Sequence, residues 1–385
     1  MGKDVAMESP KPVKIMQIIA RMNVGGPAVL VADLMRNLDR QFFTTVLVTG
    51  YCDDNESDYL DEVAQDVLAI RIPGLGRSVS PLKDLTAFFL LITEIRKFKP
   101  DVIHTHTAKA GVLGRLAGLI ARPQASRIHT FHGHLLHGYF GSSKTRLVIL
   151  LERFLGLITY RFIAIGNVVK NDLVKAGIAQ VSKFEVFYPG LQELDRYPKP
   201  DARSTLGLES RKKYLVFVGR LTSIKRPERL IHLARFLKDK DPESWILIVG
   251  AGELLENLIE QSQKESLPIT FFGWRKDIGV ILSASDIAVL CSDNEGIPLT
   301  LIQASQAGLP IVSTDVGSVS DIVISGTTGL LTEVSSKGLI GGVSTLLADP
   351  ALCERFGKAG QERARDFFSS SAMIEHHQRL YSQSL

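Results

Sequence analysis

Short apolar runs followed by a turn and an amphipathic helix recur along almost the whole chain. The first is residues 13–20, followed by Gly25-Gly26-Pro27 and a predicted helix near 28–38. Strands that alternate with helices predict parallel sheets with helices on both faces, an α/β fold class. Further strands are predicted at residues 43–49, 102–107, 127–131, 161–165, 184–187, 214–218, 245–249, 268–272, 287–290 and 310–313.

The chain is long enough for two domains. Its 385 residues exceed the size at which one hydrophobic core usually stops growing. The polar stretch 189–210 interrupts the strand–helix pattern, which then starts afresh. We therefore predict two Rossmann-like domains, residues 1–195 and 196–370, whose parallel sheets face each other across a cleft. A final helix within 371–385 is expected to pack back on the first domain.

Composition excludes some partners and favours one compartment. The net charge is only +4, which does not favour a nucleic-acid partner. Cys52, Cys291 and Cys353 are far apart and form no CxxC pair, as expected in a reducing compartment. The first ten residues do not form a signal peptide, and no apolar run reaches the ~20 residues that span a bilayer. We expect a cytoplasmic protein.

A carboxylate stands just ahead of a predicted helix in the segment 295–314. Pro298 suits the first helical turn, and Gly308 and Pro310 are typical of a helix end. The free N–H groups at a helix N-terminus favour a bound anion, and the carboxylate of Glu295 suits sugar hydroxyls. The segment therefore predicts a nucleotide-sugar site.

Cations follow the first strand of the predicted second domain. Gly219 and Arg220 end that strand, and Lys225 and Arg226 precede the next helix. A strand's carboxyl end in a doubly wound sheet is where a diphosphate binds, so we favour phosphate over a solvent-exposed basic loop. Gly25-Gly26-Pro27 is not the G-x-G-x-x-G fingerprint. It is either a close approach of backbone to phosphate or a plain tight turn.

Histidines cluster in the first predicted domain. The six are His104, His106, His129, His132, His134 and His137. Residues two apart on a strand share a face, so the pairs 104/106 and 132/134 could each point the same way. Zinc is the alternative to hydrogen bonding, but no cysteine or carboxylate ligand lies close by in sequence, and we predict no metal site. His132 ends a strand and is the favoured site residue.

Two further segments have a structural and a functional interpretation. Asp239-Lys-Asp241 has the Asp-x-Asp pattern that can hold a divalent metal under a diphosphate. It falls before a strand, at the wrong end of the sheet, and is interpreted as surface. The apolar stretch 146–158 with basic residues is interpreted first as a helix buried against the sheet. The alternative is a surface that contacts an anionic membrane or a lipid-linked substrate.

Together these residues resemble the retaining family 4 glycosyltransferases of the GT-B fold, of the type that builds bacterial surface polysaccharides. The segments that carry the resemblance are 104–111, 130–133, Gly219-Arg220 with Lys225, 272–275, the Glu295 loop, 307–310 and 328–330. The resemblance implies an acceptor-binding first domain and a donor-binding second domain. It also implies metal-independent transfer of a sugar with retained anomeric configuration and no cofactor.

The resemblance implies roles for individual residues. The catalytic set would be Glu295, Arg220, Lys225 and His132. The donor-binding set would be Gly25, Gly26, Gly219, Trp274, Arg275, Gly296, Ile297, Pro298, Leu299 and Gln303. The partners implied are a nucleotide-sugar donor and a glycan or lipid-linked glycan acceptor, with an anionic membrane on the inner face as the further candidate.

Position 303 departs from the family pattern. That pattern is a Glu, seven residues and a second Glu that binds ribose, but the chain has Gln303 after Glu295. A neutral amide forms hydrogen bonds roughly half as strong as charge-assisted ones, so donor affinity is in question more than reaction type. Two alternatives stay open: a non-hydrolysing sugar-nucleotide 2-epimerase, and a glycosyltransferase-like binding subunit without activity.

Overall fold

The computed structural model describes residues 11–54, 56–133 and 142–385, so His134 and His137 lie outside the described residues. The described strands form one sheet of seven and one of six, and every strand pair in them is parallel. The strands are β1 Val13–Ile19, β2 Phe43–Thr49, β3 Ala69–Arg71, β4 Val102–His106, β5 Ser126–Phe131, β6 Arg161–Ala164, β7 Phe184–Val186, β8 Lys213–Val218, β9 Ser244–Val249, β10 Ile269–Gly273, β11 Ile287–Leu290, β12 Ile311–Thr314 and β13 Gly329–Thr332.

Helices connect these strands, as parallel pairing requires. They are α1 Gly26–Asn37, α2 Tyr59–Glu62, α3 Pro81–Phe98, α4 Ala108–Ala121, α5 Ser142–Leu157, α6 Asn167–Lys175, α7 Lys199–Thr205, α8 Glu228–Lys240, α9 Leu255–Glu265, α10 Ile278–Ala284, α11 Leu299–Gln306, α12 Val319–Ile322, α13 Ser336–Ala348, α14 Pro350–Phe367 and α15 Ser370–Ser382.

The chain divides into two compact units. The first contains the described residues up to Ile165, Lys170–Phe187 and Met373–Leu385, and the second contains Gly166–Val169 and Tyr188–Ala372. The chain thus changes unit after Phe187 and not after the expected residue 195. The reason is local: Leu191 donates its N–H to the carbonyl of Phe368 at 2.9 Å and accepts from the N–H of Ser370 at 2.9 Å.

The first unit has the strand order β3-β2-β1-β4-β5-β6-β7. Its interior strand β1 is buried from Ile15 onwards and is apolar there except for Gln17. Helix α15 packs on this unit, where Met373 and Ile374 contact Leu30 and Leu34 of α1. The expected C-terminal helix is therefore present, and its residues from 373 onwards belong to the first unit.

The second unit has the strand order β10-β9-β8-β11-β12-β13. Strands β9 and β10 lie on one side of β8, and strands β11, β12 and β13 follow on its other side. The loops that leave the carboxyl ends of β8 and β11 therefore diverge, and such a reversal is where open α/β sheets bind ligands.

The structure adds elements that the sequence did not predict. Strands β3 and β13 have only three and four residues. The predicted linker also contains helix α7. Pro298 lies one residue before α11 as its N-cap, not within the first turn.

Helix α5 contradicts the first interpretation of the stretch 146–158 as a buried helix. Five of its large apolar side chains are between 38% and 78% exposed; they are Leu147, Leu150, Leu151, Phe154 and Leu157. Only a narrow face points inward, with Leu155 fully buried and Glu152 paired to Arg115 of α4 through two 2.8 Å hydrogen bonds. The helix is thus attached along one edge and presents an apolar stripe on its outer side.

Candidate active site

The strand-order reversal of the second unit brings together two segments that the sequence identified separately. β8 pairs directly with β11, so residues 219–226 lie beside residues 291–295. Two contacts fix this proximity. The N–H of Asp293 donates to the carbonyl of Ile224 at 3.0 Å, and the Cys291 thiol contacts the carbonyl of Lys225 at 3.3 Å.

Lys225 and Glu295 form an ion pair at this edge. The Lys225 Nζ lies 2.5 Å from Glu295 Oε1, and the hydroxyl of Ser292 donates to the same oxygen at 2.6 Å. Glu295 is 8% exposed and Ser292 is fully buried, so the carboxylate is held firmly. The second oxygen, Oε2, has no hydrogen-bond partner within 11–54, 56–133 and 142–385. One oxygen is thus anchored and the other is left to accept from hydroxyl groups.

The neighbouring cations differ in how they are neutralised. Arg229 binds Asp293 at 2.6 Å, and the Arg226 Nε lies 2.9 Å from Glu228 and 3.3 Å from Asp293. Arg220 is exposed, and no described residue pairs with its guanidinium. Arg220 can therefore meet an anion without giving up an internal contact.

Helix α11 begins directly after the Glu295 loop. No side chain caps its N-terminus, and Ile297 and Pro298 are buried in the turn that leads into it. Gly296 accepts a hydrogen bond from the N–H of Ser318 at 3.0 Å, which fixes the loop. The helix ends as expected, because Gly308 has φ +76°. An uncapped helix N-terminus therefore stands beside the Lys225–Glu295 pair.

Gln303 lies on the same side of α11 as Leu299, four residues earlier. It is partly buried, and its side-chain amide makes no hydrogen bond with any residue that the structure describes. The amide is therefore available to a ligand at the start of the helix. Its role in binding ribose stays a prediction.

Glycines shape the loops at this edge. A Cβ on Gly250 would lie 1.9 Å from the carbonyl oxygen of Gly219, and Gly250 has φ +137°. The loop after β9 can therefore cross the backbone of Gly219 only because position 250 lacks a side chain. This close crossing fixes the position of Gly219 and of the first residues of the loop 219–226.

Trp274 and Arg275 follow the edge strand β10. Trp274 is 48% exposed, with the Lys276 ammonium 5.5 Å from its ring centroid. Arg275 binds Asp277 at 2.5 Å and stacks over Phe272. The aromatic surface of Trp274 is thus accessible, whereas the Arg275 charge is already matched.

In the first unit the Gly25–Gly26 turn leads from β1 into α1 as predicted. Pro27 occupies the first turn of α1, and Gly25 precedes it in extended backbone. A Cβ at Gly25 would meet only the carbonyl of Asn23 at 3.8 Å, an ordinary contact. The packing of this chain therefore does not itself require glycine at position 25.

His104, His106 and His129 of the first unit are buried and hydrogen-bonded, and His132 is partly buried. His104 and His106 share a face, as predicted, with ring centroids 4.2 Å apart. Both ring nitrogens of His104 are used, by Tyr381 and Thr130, and both of His106 are used, by His132 and Gln17. Nitrogens engaged in this way have no lone pair left for zinc, so the zinc interpretation does not fit these residues.

Burial keeps these rings neutral. It lowers the pKa of His132 to about 3 and that of His377 to about 4, and it lowers the pKa of His104, His106 and His129 well below the usual value. Protonation would place a charge in a buried, poorly solvated position, which is why the neutral form is favoured. At neutral pH these imidazoles act as hydrogen-bonding groups, not as cations.

Metal-ligating side chains do not gather elsewhere in the described ranges, where no group of three or more His, Cys, Asp or Glu is arranged to hold an ion. Asp241 accepts from the Ser244 hydroxyl at 3.1 Å at the start of β9. This is the amino end of the strand, opposite the Lys225–Glu295 edge, as the surface interpretation of Asp239 and Asp241 expects.

Family models match both halves of the chain. The model of glycosyltransferase family 4 matches residues 24–193, and that of group 1 glycosyl transferases matches residues 198–363. The chain is 32% identical over 293 residues to the UDP-Gal:α-D-GlcNAc-diphosphoundecaprenol α-1,3-galactosyltransferase of Escherichia coli, covering 72% of this chain and 73% of that protein. It is 25% identical to the capsular polysaccharide biosynthesis glycosyltransferase CapM of Staphylococcus aureus, covering 81% and 84%.

Solved structures share the fold. HepE of Anabaena (Alr3699), solved in complex with UDP, has a TM-score of 0.81 and 20% identity over 96% of this chain and all of its own. Sucrose-phosphate synthase of Thermosynechococcus elongatus has a TM-score of 0.80 and 22% identity, with 96% and 98% covered. These matches confirm the predicted class of two Rossmann-like parallel-sheet domains.

The chain belongs to the family 4 glycosyltransferases, and it is a glycosyltransferase of the GT-B fold. The E. coli relative is named for a diphosphoundecaprenol-linked substrate, and the S. aureus relative for capsular polysaccharide biosynthesis. In the described part of the chain, none of the helices combines the length and the apolar character needed to cross a bilayer.

Some residues that hold the predicted site residues in place were not identified from the sequence. Ser292 fixes Glu295, and its only signal is a small polar residue directly after a buried strand. Gln17 and Tyr381 contact the histidines, but they lie far from them in sequence and no local pattern reveals their contact.

Proposed function

We propose that the protein transfers a hexose, with retained configuration and without a metal, from a UDP-sugar to a hydroxyl of a glycan carried on a polyprenyl diphosphate. The observation that carries the proposal is the Lys225–Glu295 pair beside the unpaired Arg220 at the carboxyl edge of β8 and β11. The E. coli relative, which is named for UDP-galactose and a diphosphoundecaprenol-linked acceptor, supports the choice of donor and acceptor.

The diphosphate would bind Arg220, Lys225 and the N-terminus of α11. Arg220 has no internal partner, and Lys225 can share its three donors between Glu295 and a phosphate oxygen. The largest charge to develop during transfer is on the departing UDP, and positioned cations stabilise it. Gly219 would allow the backbone to approach the phosphates closely, and the family resemblance implies the same role for Gly25 and Gly26.

The sugar would bind Glu295. The family resemblance implies that it also contacts His132. Glu295 Oε1 is occupied by Lys225 and Ser292, so Oε2 is the atom that would accept from the sugar hydroxyls. The backbone of Gly296, Ile297, Pro298 and Leu299 would complete this pocket.

In the reaction the bond from the anomeric carbon to the UDP oxygen breaks, and the acceptor oxygen bonds to the same face of that carbon. The acceptor proton passes to a phosphate oxygen of UDP. Lys225 and Arg220 hold the phosphate that receives the proton, so these two cations serve both bond cleavage and proton transfer.

The nucleoside would contact Trp274, Arg275 and Gln303. The exposed ring of Trp274 suits a base, and the Gln303 amide suits a ribose hydroxyl. A Gln–hydroxyl bond is weaker than the Glu–hydroxyl bond of the family pattern, so nucleotide binding is expected to depend more on the diphosphate.

The lipid-linked acceptor would reach the first unit at a membrane surface. Helix α4 packs against both α3 and α5. The outer side of α5 carries its apolar stripe, and that of α3 carries exposed Leu82, Leu85, Phe89 and Leu90. Exposed Arg146, Arg153 and Lys83 accompany these stripes, and Arg115 adds no surface charge because it is buried with Glu152. Apolar side chains with adjacent cations fit an anionic bilayer surface.

A panel of nucleotide sugars tests the proposed donor. UDP-galactose, UDP-glucose, UDP-N-acetylglucosamine and GDP-mannose are each incubated with the protein and a polyprenyl-diphosphate-linked N-acetylglucosamine. We expect transfer from a UDP-hexose, unchanged by EDTA. A sugar that is changed but not transferred would indicate the epimerase, and binding without turnover would indicate a binding subunit.

Variants connect this activity to the site. Lys225→Ala and Arg220→Ala are expected to lower kcat by about a hundredfold, the effect of losing one charge-stabilising donor. Lys358→Ala is the matched control, because Lys358 is also an exposed cation of the second unit. Equal activity of Lys225→Ala and Lys358→Ala would remove the proposed role of the pair.

Vesicle co-sedimentation tests the membrane surface independently. The double variant Leu150→Gln/Phe154→Gln is expected to bind phosphatidylglycerol vesicles at least about tenfold more weakly than the wild type, since each buried apolar side chain contributes about 1 kcal/mol or more. The control Val63→Gln/Leu68→Gln changes two exposed apolar residues outside α3–α5. A wild-type protein that does not bind these vesicles at low salt would exclude the membrane contact and leave the transferase proposal standing.

A further inference from the structure

A continuous chain of hydrogen bonds, partly buried at His132 and fully buried beyond it, runs from His132 to the C-terminal helix of the first unit. His132 Nε2 lies 2.8 Å from His106 Nδ1, and His106 Nε2 lies 2.8 Å from Gln17 Oε1. The Gln17 Nε2 donates to the Tyr381 hydroxyl at 2.8 Å. Gln17, His106 and Tyr381 are at most 1% exposed, so water does not interrupt the chain.

The amide of Gln17 gives this chain a direction. Its oxygen can only accept, so His106 must carry its proton on Nε2 and present a bare Nδ1. His132 must then donate from Nε2 to that nitrogen. On the other side, the Tyr381 hydroxyl accepts from Gln17 and donates to His104 Nδ1 at 2.7 Å, and His104 Nε2 donates to Thr130 at 2.7 Å. One amide orientation thus fixes three imidazole tautomers.

One nitrogen at the end of the chain has no partner. His132 Nδ1 is buried, and none of the residues described in the structure forms a hydrogen bond with it. With its proton on Nε2, this atom is an acceptor. A buried acceptor without a donor is destabilising, so such an atom in a native protein requires an explanation.

We propose that Gln17, His106 and Tyr381 are positioning residues that hold His132 with its proton on Nε2, so that its Nδ1 accepts a hydrogen bond from a hydroxyl of the donor sugar. The inference rests on the proposed function in one respect, the contact of His132 with the sugar. It adds which atom of His132 makes the contact, in which role, and which distant residues determine that role.

Burial keeps the hydrogen-bonded side chains of this network in one protonation state. Burial lowers the pKa of His132 to about 3 and that of His106 well below its usual value, and it raises the pKa of Tyr381. None of these groups changes its charge near neutral pH, so the proton positions are decided by hydrogen bonding alone. A neutral acceptor selects a hydroxyl over a phosphate oxygen, because the latter has no proton to donate.

Helix α15 is therefore connected to His132 through the hydrogen bonds of Tyr381 with Gln17 and of Gln17 with His106. The 364 residues between Gln17 and Tyr381 explain why no local motif shows the connection. Without the Tyr381 hydroxyl, the Gln17 amide loses its fixed orientation and can rotate. The His106–His132 bond can then run in either direction, and Nδ1 of His132 is protonated in part of the molecules.

Kinetics of single variants test the inference. Gln17→Met keeps the volume but removes both hydrogen bonds, and Tyr381→Phe removes one hydroxyl. Each is expected to lower kcat/KM for the sugar donor about tenfold, whereas binding of free UDP is expected to stay within about twofold of the wild type. The control is Thr105→Val, which removes a buried 2.8 Å contact to His129 outside the chain. Its kcat/KM is expected to stay close to that of the wild type.

Nitrogen NMR of ¹⁵N-histidine-labelled protein reads the tautomer directly. We expect His132 of the wild type to be neutral with its proton on Nε2, and Tyr381→Phe to shift it towards a mixture. A wild-type His132 with its proton on Nδ1 would overturn the inference, whatever the kinetics show.

The kinetic outcomes separate this inference from the proposed function. If His132→Ala is impaired but Gln17→Met and Tyr381→Phe match Thr105→Val, the positioning role fails and the sugar contact stands. If His132→Ala has wild-type kcat/KM, the sugar contact itself fails, and the positioning role fails with it.

Discussion

Replacing Glu295 with Gln changes one atom and separates two roles of this side chain. The amide oxygen of the variant can still accept from Lys225 and Ser292, which now bind Oε1 at 2.5 and 2.6 Å. The amide NH₂ then occupies the position of Oε2, where the account requires an acceptor. The variant thus retains the packing of the loop and loses the contact to the sugar hydroxyls.

The structure sets the size of the expected effect. A hydrogen bond to a charged group contributes about 1.5–3 kcal/mol, which corresponds to a factor of about 10 to 150 in rate. We expect Glu295→Gln to lower kcat/KM for the UDP-sugar within that range. The free energy of unfolding should fall by only about 1 kcal/mol, because Lys225 loses a charged partner at a site that is partly exposed.

A coupled assay of UDP release at varied donor concentration measures the effect, and urea unfolding checks the stability. The control is Glu260→Gln, which neutralises an exposed carboxylate on α9. Glu295→Gln with kcat/KM within threefold of this control would refute the role of Oε2 as a sugar acceptor.

Three further predictions concern binding, acid stability and the core. Gln303→Glu is expected to leave turnover intact and to tighten UDP binding in calorimetry, and an inactive variant would give position 303 a different role. The buried histidines are neutral when folded but protonate when unfolded, so their stabilisation is complete above pH ~6.5 and is lost below it. These five histidines are His104, His106, His129, His132 and His377. Below pH ~6.5 the free energy of unfolding should fall by about 1.4 kcal/mol per histidine and pH unit. Equal urea midpoints at pH 7.5 and 5.5 would contradict this prediction. Glu152→Gln removes the charge that compensates fully buried Arg115 and should cost about 3 kcal/mol in urea unfolding, and a loss below 1 kcal/mol would contradict this account of the pair.

The sequence predicted the fold class because its signals are local. Apolar runs with a following glycine occur where the strands lie, and β2 and β11 have the predicted bounds. Gly308 ends its helix with the expected positive φ. Strands β3 and β13 escaped detection, whereas the equally short strands β7 and β11 were predicted.

The individual residues of the candidate site could be predicted from the sequence, but their proximity could not. Arg220, Lys225 and Glu295 were each identified from their own segments, but their proximity depends on the pairing of β8 with β11. That pairing joins residues about 70 positions apart, and no sequence pattern states it. The exposure of α5 escaped prediction because an apolar helix at a surface and one in a core have the same composition.

Hydrogen–deuterium exchange with UDP-galactose tests the location of the donor site most directly. The account predicts that the nucleotide sugar slows exchange in two segments, residues 219–226 and 291–300, and leaves residues 239–244 at the opposite end of the sheet unchanged. Free UDP should protect the first segment and the start of α11. Protection that is absent from both segments, while the nucleotide sugar is bound, would contradict the account.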